Sequence, residues 1–455
     1  MWTTLALGTS SHHRSHAASA FFASPFDKAA ILTIDGVGED VSTAIWRGEG
    51  TALTCLGSIE YPHSLGLLYA ALTAYLGFEV NEGEYKVMGL AAFGRPRYRD
   101  AFERLLKCQP DGAFALDLSY FAFHTDTDIA FSGKLETLLG PRRPFAKPWD
   151  ITGSPDDQRY ADIAASLQQA TEEAIIALAQ EARRRTGCVD LCLAGGVALN
   201  CVANARVLRE AGFARVFVQP AAGDAGGALG AAMLGSVDLD GRRPEAMTTA
   251  ALGMGLSNDI ARDLAKRLGL RFEAPPDAVE AAAELISQDK VVAFARGRFE
   301  WGPRALGQRS ILASPRDSEM RERLNRMIKK REPFRPFAPA VLADDAGSWF
   351  TEVDNDMAPF MTTTARVAPT RTQHLQAVTH VDGTSRAQTV SAAASPDFHR
   401  LLEGVKRRTD VPIVLNTSLN GAGEPIVANE ADAMAFFVSH SVDAMLVQDI
   451  LIRRR

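Results

Sequence analysis

Residues 29–60 read AAILTIDGVGEDVSTAIWRGEGTALTCLGSIE, three apolar runs separated by turn residues. Ala29–Ile34 ends at Asp35-Gly36, Thr43–Trp46 follows, and Gly48-Glu49-Gly50 leads into Ala52–Glu60. The pattern predicts three strands able to pair antiparallel. Working outward, His63–Tyr75 places Leu65, Leu68, Ala71, Leu72 and Tyr75 on one helical face. Residues 94–157 are broken by Gly140-Pro141-Arg142-Arg143-Pro144 and Gly153-Ser154-Pro155, which predicts a loop-rich insertion. A long helix is expected from about Gln158 to Arg185, its apolar face set by Ile163, Leu167, Ala174, Ile175 and Leu178. Then come strand Val189–Leu193, a turn at Gly195-Gly196, a helix from Ala198, strand Val216–Val218 and a helix opened by Asp224.

Three strands, then helix, strand, helix, strand, helix is the order of one half of an actin-like domain, the α/β architecture of sugar kinases and chaperone ATPases. Such domains need two halves, and only one is expected here. Residues 237–257, DLDGRRPEAMTTAALGMGLSN, read as a connecting segment. The expected organisation is a first domain at 1–240, a linker at 241–257 and a second α/β domain at 258–455. The second carries strands at Val291–Ala295, Pro412–Leu415 and Ala444–Val447.

Bulk properties exclude several classes. A 455-residue chain is long enough for two or three cores, and a net charge of −6 argues against general nucleic-acid binding. No apolar stretch approaches the ~20 residues of a membrane span, and MWTTLALGTSSHHRSH lacks the layout of a signal peptide. The five cysteines are odd in number and scattered, which suits a reducing cytoplasm. Cys188 and Cys192 flank a strand pattern and read as core thiols rather than metal ligands.

Against this acidic background, residues 298–335 hold nine arginines and two lysines against five acids, Glu300, Asp317, Glu319, Glu322 and Glu332. In RDSEMRERLNR (Arg316–Arg326) acids alternate with arginines, so a solvated helix face with pairs of ~0.3 kcal/mol is expected. GPRALGQRS and KKREPFRP place their cations beside Gly and Pro with little acidic compensation, and read as anion-binding turns. In the first half, His12 and His16 share a face if helical. With Asp35 at a strand end and Asp224 at a helix start they suit a divalent metal, iron or zinc. The plainer readings are a turn aspartate for Asp35 and N-capping for Asp224. Gly195-Gly196 would let a flat or phosphorylated ligand approach the backbone.

Seven segments taken together resemble a known family: His12–Ala20, Glu82–Ala91, Gly195–Asn200, Gly302–Gly307, Arg331–Pro339, His380–Arg386 and Asn416–Asn420. In family order, and over essentially the whole chain, they are similar to the O-carbamoyltransferases that decorate nodulation factors, cephems and aminoglycosides. The resemblance implies a C-terminal YrdC-like domain that joins carbamoyl phosphate and ATP, with Mg2+, into carbamoyl-adenylate. It implies an N-terminal domain, similar to the tRNA threonylcarbamoyladenosine transferase, that passes the carbamoyl group to a small-molecule hydroxyl. Arg304, Arg309, Ser310, Lys329, Lys330, Arg331, Arg335 and Arg386 are implied at the phosphates, and Asn416, Thr417, Ser418 and Asn420 at the carbamoyl amide or ribose. Arg304, Lys330, Arg331 and Arg386 are the implied catalytic groups there. Gly195, Gly196 and Asn200 would meet nucleotide at the transfer site. Lys86 reads either as a surface charge or as a catalytic transfer-site group. Relative to the family the chain is expected to lack an N-terminal half-domain, and Gly421-Ala422 stand where a larger or basic residue is expected. The competing readings are a truncated, non-catalytic or half-active nucleotide-binding paralogue and carbamoylation of a tRNA base. The state of assembly, a homo-oligomer included, stays open.

Overall fold

The structure is a computed structural model and describes residues 8–454. The chain divides into two units, one ending at Met247 and one starting at Thr248. Both are mixed α/β.

In the first unit, five strands form one sheet in the order Ala52–Glu60, Val41–Glu49, Lys28–Gly38, Asp190–Ala194, Arg215–Val218. The first three pair antiparallel and the last two join in parallel. The central strand is buried from Ala29 to Ile34, which is why it reads as a continuous apolar run rather than an alternation. It also runs past its expected end at Ile34 to Gly38, with an irregular register between Ile34 and Gly38. That bulge takes Asp35 out of the ladder.

Helix Pro155–Thr186 shows how local chemistry sets boundaries. Ser154 caps it by accepting from the Asp157 N–H, and Pro155 occupies the first turn with Asp156 and Asp157. Arg183, Arg184 and Arg185 close it before Gly187, whose φ is 65°. The helix expected from Ala198 is two elements instead: a 3-10 turn at Gly196–Leu199, then helix Cys201–Glu210 started by the Asn200 side chain. Helix His12–Ala23 packs backbone to backbone on helix Asp224–Asp240. A Cβ on Gly230 would sit 1.8 Å from the Ser15 carbonyl oxygen.

The second unit is built on an eight-stranded sheet in the order Gln388–Val390, Ala338–Leu342, Ile413–Ser418, Arg309–Ala313, Val292–Ala295, Ala444–Val447, Ile450–Arg453, Phe272–Glu273. Apolar clusters cover both faces, one with Ile311, Ile413 and Met445, the other with Phe294, Leu312 and Phe398.

The segment expected as a linker is tied down at each end. Arg243 donates to the carbonyls of Phe21, Ser24 and Phe26, and Met247 N–H to Ala23. Gly253, Met254 and Ala250 pair with Phe299 and Trp301 through the backbone. Cys188, Cys192 and Cys201 are buried free thiols, whereas Cys55 and Cys108 are exposed. Among the described residues no helix is long and apolar enough to cross a membrane.

Replacing Gly230 with Ala should push the two helices apart and cost about 2–4 kcal/mol, read as a lower urea midpoint.

Candidate functional site

Four donor side chains meet in the first unit. His12 and His16 lie one turn apart on helix His12–Ala23, with their Nε2 atoms 2.9 Å apart. Asp35 Oδ2 is 3.2 Å from the first and 2.7 Å from the second. Asp224 Oδ1 is 3.5 and 3.4 Å from them. Asp224 is the first residue of its helix and its side chain is exposed toward this point, so it does not serve as the N-cap, which is Gly223. Gly38 leaves room for the cluster, because a Cβ there would lie 2.2 Å from the His12 ring.

The neighbouring His13 fixes the helix. Its Nε2 donates to the Val41 carbonyl at 2.9 Å, which leaves Nδ1 to accept from the Thr33 hydroxyl at 2.8 Å. The hydrogen bond with Asp35 raises the pKa of His12 above its ordinary value. Burial pushes Asp35 up, but hydrogen bonds with His12 and His16 outweigh it and hold the carboxyl well below the usual range. Two imidazole nitrogens and two carboxylates converging on one point, all within 4.8 Å of one another, are a donor set that a divalent first-row cation fits. The fit has one gap: His16 Nδ1 is buried with no hydrogen-bond partner among the described residues, so packing alone orients that ring.

The paired glycines lie against the same strand. Gly195 has φ 90° and a Cβ there would meet the Ile34 carbonyl oxygen at 2.1 Å, while one on Gly196 would lie 3.1 Å from Asp35 Oδ1. Asn200 exchanges two amide hydrogen bonds with Gln168, both 3.0 Å, and accepts from Ala203 N–H. Gln168 in turn accepts from the Tyr69 hydroxyl at 2.9 Å and donates to Glu172 at 2.7 Å. As one polar residue in a long helix, Gln168 gave no signal in the sequence. Lys86 is half-buried with its ammonium 5.7 Å from the Phe78 ring centre.

The second unit breaks up the apparent arginine patch. Arg298 donates to the carbonyls of Leu252 and Gly253. Arg309, implied at a phosphate, is fully buried, and its Nη1 donates to the carbonyls of Arg296, Gly297 and Gln308. The pairs expected within the helix at 316–326 are made elsewhere, with Arg316 on Asp289 at 2.8 Å and Arg323 on Asp443 at 2.9 Å. That helix ends at Leu324 and passes into a π-helical turn, Asn325–Lys329.

At the end of this turn the buried Lys329 Nζ donates to the Ser418 carbonyl at 2.6 Å, the Asn420 side-chain oxygen at 2.7 Å and the Asn420 carbonyl at 3.0 Å. Burial, with Arg331 and Arg335 nearby, pushes its pKa well down. Lys330 follows exposed with φ 42°. Arg331 donates to Asn325 Oδ1 at 2.8 Å and to the Pro336 carbonyl at 3.1 Å. Arg335 lies 3.5 Å from Glu332. Asn416 is buried between the Ala305 carbonyl and Gln388, so it ties the Arg304 loop to the sheet. Ser310, also buried, accepts from the Gly307 N–H, while Thr417 and Arg386 are half-buried. The structure therefore groups Lys329, Ser418 and Asn420, with Arg331 and Arg335 near, and joins Asn416 to the Arg304 loop.

Glu300 and Gln388 organise that loop, and neither gives a signal in the sequence, since their types carry no motif. At 421 the small residue faces two side-chain ends: a Cβ there would lie 2.4 Å from His440 Nε2 and 2.7 Å from Glu424 Oε2 unless they shifted.

The family model "Carbamoyltransferase N-terminus" matches residues 4–233, and "Carbamoyltransferase C-terminus" matches residues 283–454. The chain is 39% identical to nodulation protein NolO of Bradyrhizobium diazoefficiens, over 98% of this chain and 79% of that protein. It is 30% identical to the 3'-hydroxymethylcephem-O-carbamoyltransferase of Streptomyces clavuligerus, over 98% of this chain and 80% of that one. Among solved structures, full-length HypF in a phosphate- and nucleotide-bound form matches 52% of this chain and 36% of its own, at 16% identity and a TM-score of 0.28, too slight a likeness to carry an inference.

Lys329→Met should leave the Ser418 and Asn420 oxygens without their donor and cost about 2–4 kcal/mol, visible as a lower thermal midpoint.

Proposed function

The chain belongs to the carbamoyltransferase family, and on that premise we propose that it is an ATP-dependent O-carbamoyltransferase acting on a small-molecule hydroxyl. The first unit is then half of an actin-like transfer domain (1–240), and the second (258–455) is a YrdC-like activating domain. The observation that carries the reading is the grouping of Lys329, Ser418 and Asn420, with Arg331 and Arg335 near, in the unit whose Asn416 holds the Arg304 loop.

The chemistry balances with one water. Carbamoyl phosphate gives carbamate and phosphate, and a carbamate oxygen attacks the α-phosphorus of ATP, supplied with Mg2+, to release pyrophosphate. Arg304, Lys330, Arg331, Arg335 and Arg386 neutralise the phosphate oxygens. Lys329 and Arg309, fixed on protein oxygens, hold the walls of the site. Thr417, Ser418 and Asn420 offer neutral donors and acceptors to the carbamoyl amide or ribose.

In the first unit, Gly195, Gly196 and Asn200 receive the adenylate and the acceptor hydroxyl attacks the carbamoyl carbon, expelling AMP. Lys86 is proposed beside that step. His12, His16, Asp35 and Asp224 would hold iron or zinc, which supplies Lewis acidity toward the carbamoyl oxygen. Two matched family segments favour the enzyme over a non-catalytic paralogue, and a net charge of −6 disfavours tRNA as acceptor. Five free cysteines support a cytoplasmic setting.

With carbamoyl phosphate and ATP, mass spectrometry should detect carbamoyl-adenylate, and Arg304→Ala should slow pyrophosphate release about a hundredfold. Pyrophosphate release that ignores carbamoyl phosphate would sink the first step. After reconstitution with iron or zinc, His16→Ala should retain well under half the metal of the native chain by elemental analysis, while pyrophosphate release continues.

A further inference from the structure

Glu300 sits inside the loop that bears Arg304, where an anion-binding site has least use for a carboxylate. It is 4% exposed and lines a cleft with Thr249, Gln308, Gln388 and Ser395. Its Oε1 accepts from the N–H of Leu306 at 2.7 Å and of Gln308 at 2.6 Å, and Oε2 accepts from Arg309 N–H at 3.0 Å. The N–H between them, Gly307, goes to Ser310 Oγ at 3.1 Å. The carbonyls are matched as well: Ala305 to Asn416 at 3.1 Å, Leu306 to Gln388 at 2.8 Å and Gln308 to Arg296 N–H at 2.9 Å. Gly302 and Gly307, with φ of 106° and 105°, let the backbone curl around the acid. From Leu306 to Arg309 each amide thus has a fixed partner, and three of the four share one carboxylate. A glutamine of the same size cannot replace it, because its NH2 would face one of those N–H groups.

We propose that Glu300 is a positioning residue for carbamoyl phosphate activation: its carboxylate fixes the Gly302–Arg309 loop and, through it, the place of Arg304. The role rests on the activation step assigned to the second unit. It accounts for an acid in a site built for phosphate, since the negative charge is shared among three backbone donors.

The test compares Glu300→Gln, Arg304→Ala and the double variant in the full chain. In Glu300→Gln, amide hydrogen exchange in the peptide 304–310 should speed up about tenfold while exchange in the first unit stays unchanged. The KM for carbamoyl phosphate should rise about tenfold with the KM for ATP held within about twofold. The double variant should be no slower than Arg304→Ala alone. If Glu300→Gln does not fold, Glu300→Asp, whose carboxylate is one methylene short, should show the same pattern more weakly. Unchanged exchange in the loop, or losses that add in the double variant, would overturn the role. Absence of carbamoyl-adenylate from the native chain would instead refute the activation step, and loop exchange would still decide whether Glu300 positions the loop.

Discussion

The contact between helix His12–Ala23 and helix Asp224–Asp240 decides what the first unit can do. The two run close enough that the Ser15 carbonyl occupies the place of a methyl group at Gly230. That approach carries Asp224 to His12 and His16 across some two hundred residues of sequence, and the bulge after Ile34 delivers Asp35 to the same point. Every component depends on a missing side chain or a broken ladder: Gly230 between the helices, Gly38 beneath the His12 ring, Gly195 against Ile34. Packing that lacks side chains has few ways to relax, so backbone geometry brings the donors together, and the hydrogen bonds of Asp35 with His12 and His16 then tie them to one another.

The second unit reaches order by another route. Its buried cations lean on protein oxygens: Lys329 on Ser418 and Asn420, and Arg309 through Nη1 on three carbonyls, while the Arg309 Nε and Nη2 have no hydrogen-bond partner among the described residues. Arg296 bridges Asp397 and Asp449. A guanidinium removed from water must satisfy several N–H groups at once, and irregular loops are where unpaired carbonyls collect. Part of the positive charge near the proposed phosphate site is thereby tied up in scaffold, while Arg331 takes Asn325 and the Pro336 carbonyl and Arg335 lies beside Glu332.

Local signals were legible in the sequence wherever one segment sufficed. Strand Ala52–Glu60 follows from its turn residues. Periodicity finds the helix expected from about Gln158, although it starts at Pro155, where Ser154 and Pro155 read as breakers but serve as cap and first turn. His12 and His16 could be paired because four residues make one helical turn. What stayed hidden depends on partners far along the chain. Arg316 and Arg323 look like helix-surface charges until Asp289 and Asp443 arrive beside them. The burial of Arg309 is likewise not written in its neighbours, nor is the use of its Nη1 on three carbonyls. Glu300 reads in the sequence only as an opposing charge, since the three amides it binds are invisible to composition. The segment 241–257 is rich in turn residues, yet Arg243 and Gly253 anchor it through backbone partners that no linker pattern predicts.

Gly421 constrains how this end of the sheet can change over time. The space a methyl group would take is occupied by the ring of His440, which stacks on Phe436, and by the carboxylate that holds the Gly421 amide. A bulkier residue here needs the His440 ring and the Glu424 carboxylate, the ends of two rotatable side chains, to swing aside, losing the ring stack on Phe436 and the bond to the Gly421 amide. A change at 421 is thereby coupled to the helix that ends before His440 and to the turn at Glu424, without either residue having to be replaced first.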